Sequence, residues 1–142
     1  MSLEEMVLRD ELRREAATSS EIDRLRAAIA RRLDDARNLS IHPEARLEQA
    51  YQAVFSCAWM ALRELGLRAV SARGQHRVVL ESLAETLGVE VEDIDFFLEL
   101  LHLRNRDLYE AIPVSTESAE EATAAAAQLF ERMLAWLERR AT

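Results

Sequence analysis

Residues 91–110 read VEDIDFFLELLHLRNRDLYE. At about 100° per residue, Asp95, Glu99, His102, Arg106 and Glu110 all fall within roughly 60° of Glu99, as one polar stripe along a helix. Apart from Asp95, Glu99 and His102, every residue from Ile94 to Leu103 is apolar. Glu92 and Asp93 suit the positive end of the helix, and Ile112-Pro113 stops it. A helix this apolar around its girth needs packing partners on more than one side. One partner is the domain's own core, and a second subunit is the expected other.

Two residues break the pattern. Arg104 lies about 140° from Glu99 in the polar stripe, and Asn105 about 120° the other way, so neither belongs on a simply solvated face. A half-buried Arg must be paired or face a polar cleft, because desolvating it alone costs several kcal/mol. Spacing alone leaves two readings open: a salt bridge to a carboxylate on a neighbouring helix, or a functional cation.

Outward from this helix the chain stays helical. Towards the N-terminus, a helix over about 75–87 closes at Gly88 and follows a loop through Ser71-Ala72-Arg73-Gly74. Before it, Leu47, Ala50, Tyr51, Val54, Phe55, Ala58, Leu62 and Leu65 mark one face of a helix that starts near Pro43, with Ser40 or His42 as cap, and stops at Gly66. Ile22, Leu25, Ile29, Leu33, Ala36 and Leu39 recur at helical spacing behind Ser19-Ser20, which supply cap hydroxyls. Leu3, Met6, Val7 and Leu12 predict a short amphipathic helix over about 3–16. Towards the C-terminus, Ser118 and Glu121 have capping-box spacing for a last, alanine-rich helix reaching about Arg140.

Composition sets the outer limits. The chain has 142 residues, 49% hydrophobic and 31% charged, with three Gly and two Pro, which suits one helical domain rather than strands joined by tight turns. The formal net charge is −8, and all 18 basic residues are Arg. That balance argues against broad attraction to nucleic acid, so any RNA contact needs a local basic cleft. Each cation is, however, a planar fork able to grip a phosphate in two places. Cys57 has no disulfide partner and sits in an apolar stretch, as a small buried thiol. No secretory leader and no apolar run near the ~18 residues of a membrane span is found, so a cytoplasmic, non-membrane location is expected. No clustered Cys/His set calls for a metal, and no Gly-rich phosphate loop calls for a cofactor.

The segment Leu103-Arg104-Asn105-Arg106-Asp107-Leu108-Tyr109-Glu110 resembles the signature of HEPN domains. That signature is an Arg, commonly followed by Asn, then a His after four to six residues near the end of a central helix. Arg104 and Asn105 match, and Tyr109 stands where the His would fall. Upstream, the stretch Ala45-Arg46-Leu47-Glu48-Gln49-Ala50-Tyr51-Gln52-Ala53 resembles the family's helix carrying an Arg and an Ala-Tyr pair. Leu65-Gly66-Leu67-Arg68 and Gly74-Gln75-His76 resemble its following turn and the Gly-His start of the next helix. Together these cover about residues 37–112.

The resemblance implies an all-α, up-and-down bundle of four to five helices with an extra N-terminal helix, forming one domain over residues 1–142. Residues 1–18 would pack peripherally or at a dimer contact. It implies a homodimer whose two Arg-bearing motifs face one cleft, and a nucleotide- or RNA-binding set of Arg46, Tyr51, His76, Arg104, Asn105 and Tyr109. Many such domains are metal-independent ribonucleases, often toxins, and some pair with a small nucleotidyltransferase or antitoxin. Others have lost catalysis and act as binding or scaffold subunits.

Tyr109 weighs against catalysis. Metal-free RNA cleavage needs a base for the 2′-hydroxyl proton and cations for the charge that builds on phosphorus. Arg104 suits the second task, and Asn105 can donate to a phosphate oxygen. An ordinary phenol titrates near ~10, so only about one in a thousand is ionised at pH 7, a handicap of roughly 4 kcal/mol. A Tyr instead stacks on a base, which is binding chemistry. His76 and His102 are alternative imidazoles, although a loop or capping role for His76 and a surface role for His102 are the simpler readings. His42 belongs to the turn before Pro43, Tyr51 suits the core, and Trp59 and Trp136 read as packing residues.

The expected function is therefore a dimeric module binding RNA or a nucleotide-bearing partner, centred on Arg104, Asn105 and Tyr109, as one half of a toxin–antitoxin-type pair. The alternatives are an active metal-independent endoribonuclease, with Arg104 and Tyr109 catalytic, and a structural dimerisation or adaptor domain.

Overall fold

A computed structural model describes residues 1–142. The chain is all-α: a helical bundle with one two-stranded sheet at its edge. Its elements in order are α1 (Leu3–Leu8), β1 (Leu12–Arg14), α2 (Ser19–Ala36), α3 (Pro43–Glu64), β2 (Leu67–Ala69), α4 (Gln75–Glu81), α5 (Leu83–Thr86), α6 (Val91–Glu110) and α7 (Thr116–Ala141).

The axis of the bundle is α3. Ala50, Tyr51, Ala53, Val54, Cys57, Ala58, Met60, Ala61 and Leu62 are all fully buried, so apolar residues occupy most of its circumference. It packs against α2, α6 and α7. Small residues allow the close approach of α7, where Ala119, Ala122 and Ala126 are buried. Pro43 opens α3, with His42 at the cap position but making no side-chain cap bond. Gly66, at φ 73°, turns the chain out of it.

Three expectations need correction. The helix read over about 3–16 ends at Leu8, and Asp10 takes a left-handed φ of 58° that redirects the chain. Residues 12–14 then form β1, pairing antiparallel with β2 in the register Leu12↔Ala69, Arg13↔Arg68 and Arg14↔Leu67. Leu12 is buried while Arg13 and Arg14 are exposed, so this strand hides its apolar end and leaves its charges in solvent. The helix over about 75–87 breaks at Ser82, whose buried hydroxyl bonds the Val79 carbonyl, giving α4 and α5. Finally, the cap of α7 is Ser115 rather than Ser118, its hydroxyl accepting the Ser118 N–H at 3.0 Å. The cap of α2 likewise is Thr18 rather than Ser19 or Ser20, which lie inside the helix, its hydroxyl accepting the Glu21 N–H.

The sheet and the start of α2 are clamped by a residue that the sequence reading passed over. Arg63, 1% exposed, donates to the Glu21 carboxylate and to the backbone carbonyls of Glu15, Ala16 and Leu67. All five of its N–H groups are engaged. Next to it, Arg68 pairs with Glu15 and lies over the Trp59 ring.

Helix α6 spans the predicted residues, and its polar stripe faces out, with Asp95, Glu99, His102 and Glu110 exposed. Only Ile94, Phe97 and Leu100 are buried. Val91 and Leu108 are exposed and Leu98 and Leu101 only partly covered, so one apolar flank lacks a cover within this chain. No helix is long and apolar enough to cross a membrane.

Candidate functional site

The last two turns of α6 carry Arg104, Asn105 and Tyr109 up to the loop and first turn of α4. There they line a surface cleft of about 370 Å³ together with Gly74, His76 and Arg77. Gly74 has φ 85°, a conformation natural for glycine, and it turns the chain so that His76 follows on the cleft side. Tyr109 is 76% exposed at the rim. Asn105 is half-buried, its amide oxygen accepting from Arg104 Nη1 at 3.2 Å.

Arg104 is the best-anchored cation in the cleft. Its Nε donates to Glu48 Oε2 at 2.8 Å and its Nη2 to Oε1 at 3.4 Å. Its guanidinium lies 5.8 Å from the centre of the Tyr51 ring. These bonds and the one to Asn105 use three of the five guanidinium N–H groups. Two stay free for an anion. The Glu48 hydrogen bonds, and then its charge, push the Arg104 pKa up against the effect of burial. For Glu48 itself, burial raises the carboxyl, but hydrogen bonds from Arg104 and Gln52 and the Arg104 charge outweigh it and hold it below the usual value. The salt bridge to a neighbouring helix, one of the two readings of Arg104, is thus present; it occupies one edge of the fork and leaves the other.

His76 is held by aromatic side chains of α3. Its ring stacks at 4.5 Å on Phe55 and at 5.9 Å on Tyr51, and Nδ1 lies 2.7 Å from the Tyr51 hydroxyl. That leaves Nε2 as the nitrogen available to a ligand. Burial, then the Arg104 charge, lowers the His76 pKa below its ordinary 6.5, so the ring is neutral at pH 7. Burial also pushes the Tyr51 phenol well above its ordinary value. Tyr51 therefore acts as a hydroxyl that fixes the imidazole, and its ring, fully buried, belongs to the core.

The predicted residues thus divide. Arg104, Asn105, Tyr109 and His76 meet around one cleft, with Tyr51 directly behind it. Arg46 is not among the residues lining it. Only 4% exposed, it donates through Nε to the Ala36 carbonyl at 2.8 Å and so closes the C-terminal end of α2. His102 points to solvent on the outer stripe. Cys57 is fully buried, and burial pushes its thiol pKa up, away from reactivity. No three His, Cys, Asp or Glu side chains converge as metal ligands.

Glu48, Phe55 and Arg77 are site residues that the sequence reading missed. Glu48 had one signal: it lies one turn from Tyr51 and one turn from Gln52 on the same helix. Arg77 is exposed and makes no salt bridge, which adds a second cation to the cleft wall.

Comparison with protein-family models, curated proteins and solved structures finds no match to this chain.

Proposed function

We propose that this cleft binds single-stranded RNA, in a HEPN-like homodimer that brings two copies of it together. The observation that carries the reading is the convergence of four side chains with complementary tasks in one cleft. Arg104 offers two free N–H groups to a phosphate, Asn105 an amide, exposed Tyr109 a ring for base stacking, and His76 a free imidazole nitrogen. Arg77 adds positive charge locally to a chain of net charge −8. Exposed Leu108 and partly covered Leu101, seven residues apart on α6, support the dimer. The resemblance adds a small nucleotidyltransferase or antitoxin as partner, to be sought by co-purification with the neighbouring gene product.

The test is titration of a labelled single-stranded RNA with the wild type, Arg104→Ala and Tyr109→Ala, alongside light scattering. Each substitution is expected to weaken binding about tenfold or more. Unchanged affinity in both variants would overturn the reading.

His76 supports a second reading, metal-independent cleavage. In the tautomer whose Nδ1–H donates to the Tyr51 oxygen, Nε2 carries a lone pair and can take the 2′-hydroxyl proton. The 2′-oxygen then bonds to phosphorus, the P–O5′ bond breaks to leave a 2′,3′-cyclic phosphate, the leaving oxygen takes a proton from water, and His76 returns its proton to solvent. Arg104 stabilises the charge on the phosphoryl oxygens. This assigns the base to His76 rather than Tyr109. Cleavage in EDTA that is lost in His76→Ala and kept in Tyr109→Phe would establish it; no cleavage by the wild type leaves a binding module.

A further inference from the structure

A second concave surface lies further down the same side of α6. It is a groove of about 290 Å³ between α6, the α4–α5 segment and α1. Met6 and Ile94 are buried in its floor, and Val78, Leu98 and the 63%-exposed Val91 continue the apolar surface upward. Val91 and Leu98 stand seven residues apart on α6, the spacing of two anchor positions along a docked helix, and Val78 lines the same groove from α4.

The rim is acidic. Glu81 and Glu85 edge it from α4 and α5, and Asp95 from α6; all three are exposed, Glu81 and Asp95 make no ion pair, and Glu85 meets only the Met1 ammonium, at 4.0 Å. Glu11 reaches in from the α1 side, and its Oε1 is buried with no hydrogen-bond partner. A buried carboxylate oxygen left unmatched costs free energy that an incoming cation would recover. Against these four carboxylates the groove has two cations, the Met1 ammonium beside Glu85 and Arg77 on the ridge it shares with the cleft above, so the carboxylates stay in excess.

We propose that this groove is a docking site for a basic amphipathic helix of a partner protein. Its apolar face would cover Val78, Val91 and Leu98, and its Lys or Arg side chains would pair with Glu11, Glu81, Glu85 and Asp95. The volume suits a few side chains of a docked segment and lies at the lower edge of the ~300–1,000 Å³ typical of small-molecule pockets. A basic helix matches the acidic rim better than a second copy of this chain, whose net charge is −8.

The test uses the full chain and a labelled amphipathic peptide of leucine, alanine and lysine, with a counterpart in which glutamate replaces lysine. The lysine peptide is expected to bind and the glutamate peptide to fail. The double variant Glu81→Lys/Glu85→Lys is expected to weaken the lysine peptide about tenfold or more, and Val91→Asp similarly. The control Glu117→Lys/Glu121→Lys, on exposed positions of α7, is expected to bind like the wild type. The proposal fails if the lysine peptide does not bind, if both double variants lose binding equally, or if neither does. It also fails if Val91→Asp dissociates a dimer, since the groove would then be a contact between copies.

Discussion

Arg104 on α6 and Glu48 on α3 meet at 2.8 Å, and this pair decides how much positive charge the cleft presents. Their side chains are 19% and 36% exposed, so the pair is only partly shielded from solvent and contributes on the order of 1 kcal/mol to stability. The carboxylate orients the guanidinium and at the same time offsets its charge.

Glu48→Gln should therefore strengthen RNA binding about three- to tenfold, by removing a negative charge in contact with Arg104. Arg104→Ala should weaken it about tenfold, while each substitution costs only about 1 kcal/mol in urea melts. Opposite effects on binding with similar effects on stability would separate a functional cation from a structural one. Matching stability losses without any effect on RNA would favour the adaptor reading.

Arg63 should behave differently. It is buried with its five N–H groups engaged, and its removal strands the Glu21 carboxylate and three backbone carbonyls. Arg63→Ala is expected to cost about 3–5 kcal/mol in chemical denaturation. Hydrogen exchange should show residues 12–14 and 67–69 losing protection first.

The two hydroxyls at the start of α7 give a sharper local check. Ser115→Ala removes the acceptor of the Ser118 N–H and should cost about 1 kcal/mol, while Ser118→Ala should cost a few tenths. A larger loss at Ser118 would return the cap to the position that capping-box spacing alone suggests.

His76 makes stability depend on pH in a stated direction. Its folded pKa is lowered by burial and the Arg104 charge, so below about 6.5 the unfolded chain binds a proton that the folded chain does not. Stability should be full above that pH and fall as the pH drops from about 6.5 towards the lowered folded value. In His76→Asn this fall should disappear from urea midpoints measured between pH 7.5 and 5.5. The lowered carboxyls of Glu48, Glu21 and Glu15 act in a separate, more acidic window: their stabilisation holds above about 4.5 and is lost as pH falls through their folded values.

What the sequence disclosed follows from the range of each signal. The bounds of α6 were legible because twenty residues of periodicity end in Ile112-Pro113. Arg104 and Asn105 stood out because both lie off its polar stripe. The β1–β2 pair was not legible: three-residue strands are too short to show alternation, and the partners lie more than fifty positions apart. Nor could Glu48 be picked from 26 acidic residues before α3 and α6 were placed side by side. Arg46, which the resemblance placed in the binding set, and Arg63, which no motif singled out, lie on the same helix as Glu48, and both end as buried donors to carbonyls.

The central claim is that RNA lies in the cleft between α4 and the end of α6. The most direct measurement is ultraviolet crosslinking of the wild-type protein to single-stranded RNA, with the modified residues mapped by mass spectrometry. Crosslinks at Tyr109 and His76 that fall about tenfold in Arg104→Ala, at protein concentrations below saturation, are predicted. Crosslinks confined to another face, or unchanged by Arg104→Ala, would contradict the account.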